Sequence, residues 1–144
     1  MSVRDLVTFR AEFPEDAQWD EADHLLVPGG RAIADYLRTR LEQRDFSCTD
    51  LIQHEDYGWG FDVAHSDLKV TCLLQGGTEW FLLLKLKVPL LSRLLRANEL
   101  EAFEEIQDRI QQVLMGDKRF SHVLWSNNLS RKYGSKEPGS PTPR

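Results

Sequence analysis

The chain has 144 residues, 41% of them hydrophobic and 28% charged, which suits one folded domain with its own core and excludes wholesale disorder. Its formal net charge of −5 lacks the basic surplus with which nucleic-acid binders displace counterions from phosphates. The same sign suits a basic protein partner, because opposite fields steer association; it equally keeps an ordinary domain in solution.

The opening MSVRDLVTFRAEF carries charges where a signal peptide needs an apolar stretch. No apolar run reaches the ~18 residues of a membrane span. The expected setting is the cytoplasm, with no membrane contact. Within that opening, VTFRAEF alternates: Val7, Phe9, Ala11 and Phe13 face one way and Thr8, Arg10 and Glu12 the other. Period two predicts a half-buried strand, ended by Pro14.

An acidic stretch follows, EDAQWDEADHLLV, holding Glu15, Asp16, Asp20, Glu21 and Asp23 around Trp19. After PGG, Ile33, Tyr36, Leu37 and Leu41 recur at helical spacing, with Arg31, Asp35, Arg38 and Glu42 opposite. This predicts a helix over 30–44. Glycines ahead of a helix can present bare N–H groups to an anion, but no G-x-G-x-x-G or P-loop pattern is present, so an ordinary loop-to-helix junction is expected.

FSCTDLIQ reads as a second strand with Phe46, Cys48, Asp50 and Ile52 on one face. GWGFDVA reads as a third, with Trp59, Phe61 and Val63 on one face and Gly58, Gly60 and Asp62 on the other. HSD is a short turn, LKVTCLLQ a fourth strand, GGT a hairpin signal and EWFLLLKLKV a fifth strand. Pro89 stops that strand, and LLSRLLR after it can make a helical turn or two. Asn98, with Glu101 three residues on, suits a capping box. Leu100, Phe103, Ile106 or Gln107, Ile110, Val113 and Leu114 then form the stripe of a long helix, with Gly116 at its end. RFSHVLWS suits one further short strand. The tail, rich in Pro, Gly and Ser, has no apolar periodicity and is expected to be mobile.

Strands joined by two- or three-residue turns are antiparallel, and helices before and after such a meander can cover one of its faces. The expected fold is α+β: a two-layer sandwich, mainly an antiparallel meander, with two principal helices packed on one face. A single domain is expected over 1–130 and a flexible tail over 131–144.

Two segments are candidates for function. In HEDYGWGFDV (54–63), a histidine, acids and aromatics crowd together. One reading is a polar turn leading into a glycine-relieved strand, with Trp59 and Phe61 in the core. A second is a partner-facing patch of Glu55, Asp56 and Tyr57. A third is a small enzyme or ligand-binding domain with a pocket between sheet and helices, using His54 or Glu55, of which His54 is the obvious base. The acidic stretch is either a solvated loop, with Trp19 tucked on the domain as a lid, or a hot spot in which Trp19 anchors a basic partner beside Glu15, Asp16, Asp20 and Glu21.

Other chemistry lacks its pattern. His24, His54, His65 and His122 include no H-x-x-x-H pair, and there is no G-x-S-x-G and no nucleotide-binding glycine fingerprint. Cys48 and Cys72 have no C-x-x-C spacing, so two buried reduced thiols are expected. No metal and no cofactor is expected, and an enzyme is the lesser expectation.

The strand and helix layout, together with the Glu55-Asp56-Tyr57-Gly58-Trp59 turn, resembles small uncharacterised bacterial α+β proteins, including immunity proteins that sit beside polymorphic toxins. The resemblance implies a non-enzymatic domain that binds and occludes a basic toxin. It assigns no role to any single residue.

Overall fold

The computed structural model describes residues 4–42, 46–55, 57–76, 79–86, 97–127 and 139–144. In chain order the elements are β1 (Leu6–Ala11), β2 (Gln18–Trp19), β3 (Leu25–Val27), α1 (Arg31–Glu42), β4 (Ser47–Cys48), β5 (Ile52–His54), β6 (Gly58–His65), β7 (Leu68–Gln75), β8 (Trp80–Leu86), α2 (Ala97–Met115) and β9 (Phe120–Ser126). Seven strands form one sheet in the order β4-β6-β7-β8-β1-β9, with β5 also on β6; β2 and β3 make a separate small hairpin. The pairings are antiparallel. The fold is α+β, with α1 and α2 on one face of a mainly antiparallel sheet.

Strands β6 to β8 meander as their alternation predicts. Trp59, Phe61 and Val63 stand beside Leu74, Cys72 and Val70, and these in turn beside Leu82, Leu84 and Leu86. On that face they meet Ile33, Leu37 and Leu41 of α1 and Phe103, Ile106, Ile110 and Leu114 of α2 in one buried core. Fully burying such a side chain contributes roughly 1.5–3 kcal/mol. The α2 stripe therefore holds the layers together, and Gln107 lies within it, its amide donating to the Arg4 carbonyl at 2.7 Å. The described helix runs Ala97–Met115, so Asn98 is itself helical rather than a cap ahead of the helix.

Three local features differ from the sequence expectation. β1 lies between β8 and β9, so Leu6 and Thr8 are buried along with Val7 and Phe9. Alternation described a strand with one wet face, whereas an interior strand has little wet surface. Second, FSCTDLIQ is broken into β4 and β5. Cys48 stands opposite Val63 and Ile52 opposite Gly60, so four steps along this edge span three along β6. One inserted residue exchanges the faces, leaving Ile52 exposed instead of sharing a face with Cys48.

Third, β9 carries a bulge where it passes Phe9: its register on β1 shifts between Thr8 and Arg10, and His122 takes φ 54°. The extra residue turns Phe120 to the same side as Val123 and Trp125, and all three are buried. Phe120 thereby joins Phe9, Phe13 and Tyr36 in an aromatic cluster. The Arg119 guanidinium lies 4.2 Å over Phe13 and 4.9 Å over Tyr36, tied to Asp117 at 2.8 Å.

Residues 87–96, including PLLSRLLR, and residues 77–78 of the GGT turn lie outside the described residues, as does most of the expected tail, 128–138. The tail's last six residues are described, and they lie against the domain: Ser140 forms an antiparallel bridge with Trp125. Mobility was the expectation from composition, but backbone bonding and one arginine dock this segment without any apolar stripe.

Candidate functional site

Two hairpins carry the candidate residues. The first is β2–β3. Asp20 organises its turn: one carboxylate oxygen accepts the Ala22 and His24 amides, both at 2.8 Å, and the other lies 3.1 Å from His24 Nδ1. The His24 amide is the main reason why the Asp20 carboxyl is held below the usual carboxylate range; burial opposes this, while the Ala22 amide and the His24 ring add to it. An acidic run thus becomes a hairpin because one of its acids replaces the missing backbone partners. Asp23 supplies the left-handed residue of the turn, φ 62°.

Asp16 has a different task. Its two oxygens accept the Gly30 amide at 2.7 Å and the Ala32 amide at 2.8 Å. These are orphan donors at the start of α1, so the anion at this helix N-terminus is the chain's own carboxylate. Glu15 folds back on the Ala17 amide at 3.0 Å. Of the first-segment candidates, Glu21 and Trp19 remain directed to solvent, with Trp19 59% exposed.

The second hairpin is β5–β6. Glu55 sits in its turn with φ 49°, and the Tyr57 amide closes the turn on the His54 carbonyl at 3.1 Å. Tyr57 is 47% exposed and Ile52 58%. Asp56 lies outside the described residues. The bare backbone foreseen at Gly58 and Gly60 is filled in part from within: a Cβ on Gly60 would stand 2.5 Å from His54 Nε2. His54 therefore packs on β6, its ring 6.1 Å from that of Tyr57. Trp59 is on the core face, as its alternation predicts. Its indole N–H donates to the Pro28 carbonyl at 3.0 Å, and Arg31 lies over the ring at 5.5 Å.

Gln53 joins the two hairpins. Its side-chain amide donates to the Leu26 carbonyl of β3 at 3.1 Å and to the Glu55 carbonyl at 2.6 Å. Leu26, 55% exposed, and Gln53 were not among the sequence candidates. A signal existed for Leu26, an apolar residue beside a run of acids, but Gln53 reads in sequence as an ordinary polar strand residue.

Clefts among the described residues lie elsewhere. One, of about 230 Å³, is lined by Ser66, Asp67, Leu68, Asn98, Ala102 and three glutamates of α2, Glu99, Glu101 and Glu105. His65 contacts Glu105 beside it, and its ring lies 4.4 Å from that of Phe46, tilted by 42°. Another is a gap of about 30 Å³ around Phe13, Gly30 and Trp80. Neither is lined by His54 or Glu55.

Cys48 and Cys72 are free. They flank β6, opposite Val63 and Phe61, and two strand spacings of about 4.8 Å exceed the ~7 Å reach of a disulfide. Burial, with Glu42 adding to it, pushes the Cys48 thiol up to about 11, and burial raises Cys72 further, so both are poor nucleophiles. Among the described residues no group of three or more His, Cys, Asp or Glu could hold a metal ion, and no helix is long and apolar enough to cross a membrane. Comparison with protein-family models, with curated proteins and with solved structures returns no match to this chain.

Proposed function

We propose that this chain is a non-enzymatic protein-binding domain that receives a basic partner on the β2–β3 and β5–β6 hairpins. The observation that carries the reading is the Gln53 amide, which ties together two hairpins bearing four large exposed apolar side chains: Trp19, Leu26, Ile52 and Tyr57. Exposed aromatics on a braced scaffold lose little entropy on docking and serve as anchors. Exposed Glu21, Asp23 and Glu55 form an acidic rim, which suits steering of a basic partner. Asp16 and Asp20 support the site by holding its backbone. The specific form we favour is occlusion of a basic toxin by an immunity protein in a bacterial cytoplasm.

Paired affinity capture tests this. The parent chain and a Trp19→Ala, Tyr57→Ala variant serve as baits in extract of the source cells. The expected result is a basic protein held by the parent and lost from the variant, with dissociation faster by tenfold or more. Glu21→Lys with Glu55→Lys should instead slow association and flatten its salt dependence. Equal retention of every captured protein by parent and variant refutes the proposal.

A further inference from the structure

β9 ends the sheet on the side opposite the two hairpins. Trp125 stands beside Val7 of β1, but its own amide and carbonyl point outward, away from the sheet. They are met by residues 139–144. The Trp125 N–H donates to the Ser140 carbonyl at 2.6 Å, and the Ser140 N–H donates to the Trp125 carbonyl at 2.8 Å. The next two carbonyls are also bound: Pro141 accepts from the Gln111 side-chain amide at 2.9 Å, and Thr142 from Arg4 Nη1 at 3.1 Å. Pro143 is buried. Arg144 reaches Asp108 Oδ1 at 2.6 Å, Gln107 Oε1 at 3.2 Å and the Glu104 carboxylate at 3.7 Å.

The receiving side chains are also held by contacts outside the segment. Gln111 is fixed by accepting the Trp125 indole N–H at 2.7 Å, which aims its amide nitrogen at Pro141. Gln107, only 1% exposed, is fixed by its bond to the Arg4 carbonyl, which leaves its oxygen for Arg144. Gly139 passes so close to β9 that a Cβ there would stand 2.9 Å from the Leu124 Cβ. Three successive residues are held by their backbones and a fourth contact is a paired guanidinium. At Ser140 this is strand addition limited to one bridge, and as in strand addition bonds to the occupant's main chain supply affinity while one side-chain site supplies selectivity. Beyond the bridge the segment bends at Pro141 and Thr142, and the fixed φ of Pro141 and Pro143 narrows its conformations before it binds.

We propose that the outer edge of β9 and the adjoining face of α2 form a peptide-binding groove. Its ligand is a proline-containing segment that bridges Trp125 by one residue, bends over the next two, and carries an arginine four residues beyond the bridging one. Residues 139–144 are its intramolecular occupant, and the partner it fits is a Ser-Pro-x-Pro-Arg segment of another protein. Tethering gives the occupant an effective concentration in the millimolar range, so an outside strand enters only when it binds well or when the occupant is released.

The full chain carrying Ser140→Pro and Arg144→Glu tests this, since it loses the bridging N–H and reverses the charge facing Asp108. The probe is a fluorescent synthetic peptide with the sequence of residues 137–144, followed by anisotropy. Saturable binding to the released chain is expected, about tenfold weaker for the parent, whose own segment competes. A peptide with its arginine replaced by glutamate, or a released chain that also carries Asp108→Lys, should bind at least tenfold more weakly. No saturation at millimolar peptide, or equal binding by parent and released chain, overturns the proposal. If the doubly changed chain loses its near-ultraviolet spectrum, Arg144→Glu alone takes its place and the same outcomes decide.

Discussion

Replacing Asp16 by alanine removes the anion from the start of α1. Two amide donors, at Gly30 and Ala32, lose their acceptors together. Loss of a capping side chain costs about 0.5–2 kcal/mol, and loss of a negative charge from a helix N-terminus about 0.3–1 kcal/mol more. Asp16 is half-buried, so water replaces it only in part, and the expected loss is about 2 kcal/mol. In urea, with a slope of roughly 2 kcal/mol/M for a domain of this size, the midpoint falls by about 1 M at unchanged slope. Asp16→Asn keeps one oxygen acceptor and loses the charge, so about half that shift is expected. Glu15→Ala, which frees only the exposed Ala17 amide, should stay within about 0.5 kcal/mol of the parent, as surface changes do. Unfolding followed by tryptophan fluorescence measures all three. If Asp16→Ala is as stable as Glu15→Ala, the carboxylate does not hold the helix and the cap assignment is refuted.

The α2 stripe gives a second test. Ile110 is fully buried among Phe103, Ile106 and Leu114, so Ile110→Ala should cost about 2–5 kcal/mol, and a loss below about 0.5 kcal/mol in a denaturant titration would mean that this helix face does not meet the sheet. A third concerns acid. Arg119 side-chain hydrogen bonds are the main cause that holds the Asp117 carboxyl far below the usual range. A depressed folded-state pKa contributes stability that is present above the unfolded value, ~3.9, and is lost as pH falls through the folded one. The urea midpoints of parent and Asp117→Asn should therefore differ most at neutral pH and converge as pH drops below 4; a gap independent of pH would refute the link.

How far the sequence reached depended on whether a residue's partner was near or distant along the chain. The stripes of α1 and α2, the alternation of β6 to β8 and the two-residue turn at Ser66 and Asp67 are local patterns, and they could be read. The burial of Thr8 could not, because it follows from β9 arriving on the far side of β1. The exposure of Ile52 depends on one inserted residue that only pairing with β6 defines. At the candidate site, Trp19 and Tyr57 stood out as aromatics among acids. Asp16 and Asp20 looked like the same kind of surface charge, yet their oxygens are taken by backbone amides of Gly30, Ala32, Ala22 and His24. Residues 139–144 carry no apolar signal because their docking is made by carbonyls and one guanidinium, which composition does not report.

The interior position of β1 has a consequence for how the chain is made. Val7 is synthesised early, but its neighbours in the sheet are Leu82 and Trp125. At ~5–20 residues per second, Trp125 follows Val7 by on the order of ten seconds. Until β8 is made Leu6, Val7 and Phe9 have no flanking strand, and until β9 follows they have only one, so the chain cannot close its core from the front. Pairings this distant in sequence also slow folding of the finished chain, since loop closure must be met before contact is gained. A nascent chain halted before Phe120 should therefore stay open to protease at β1 and bind holding chaperones, while the released chain should fold in one late, cooperative step.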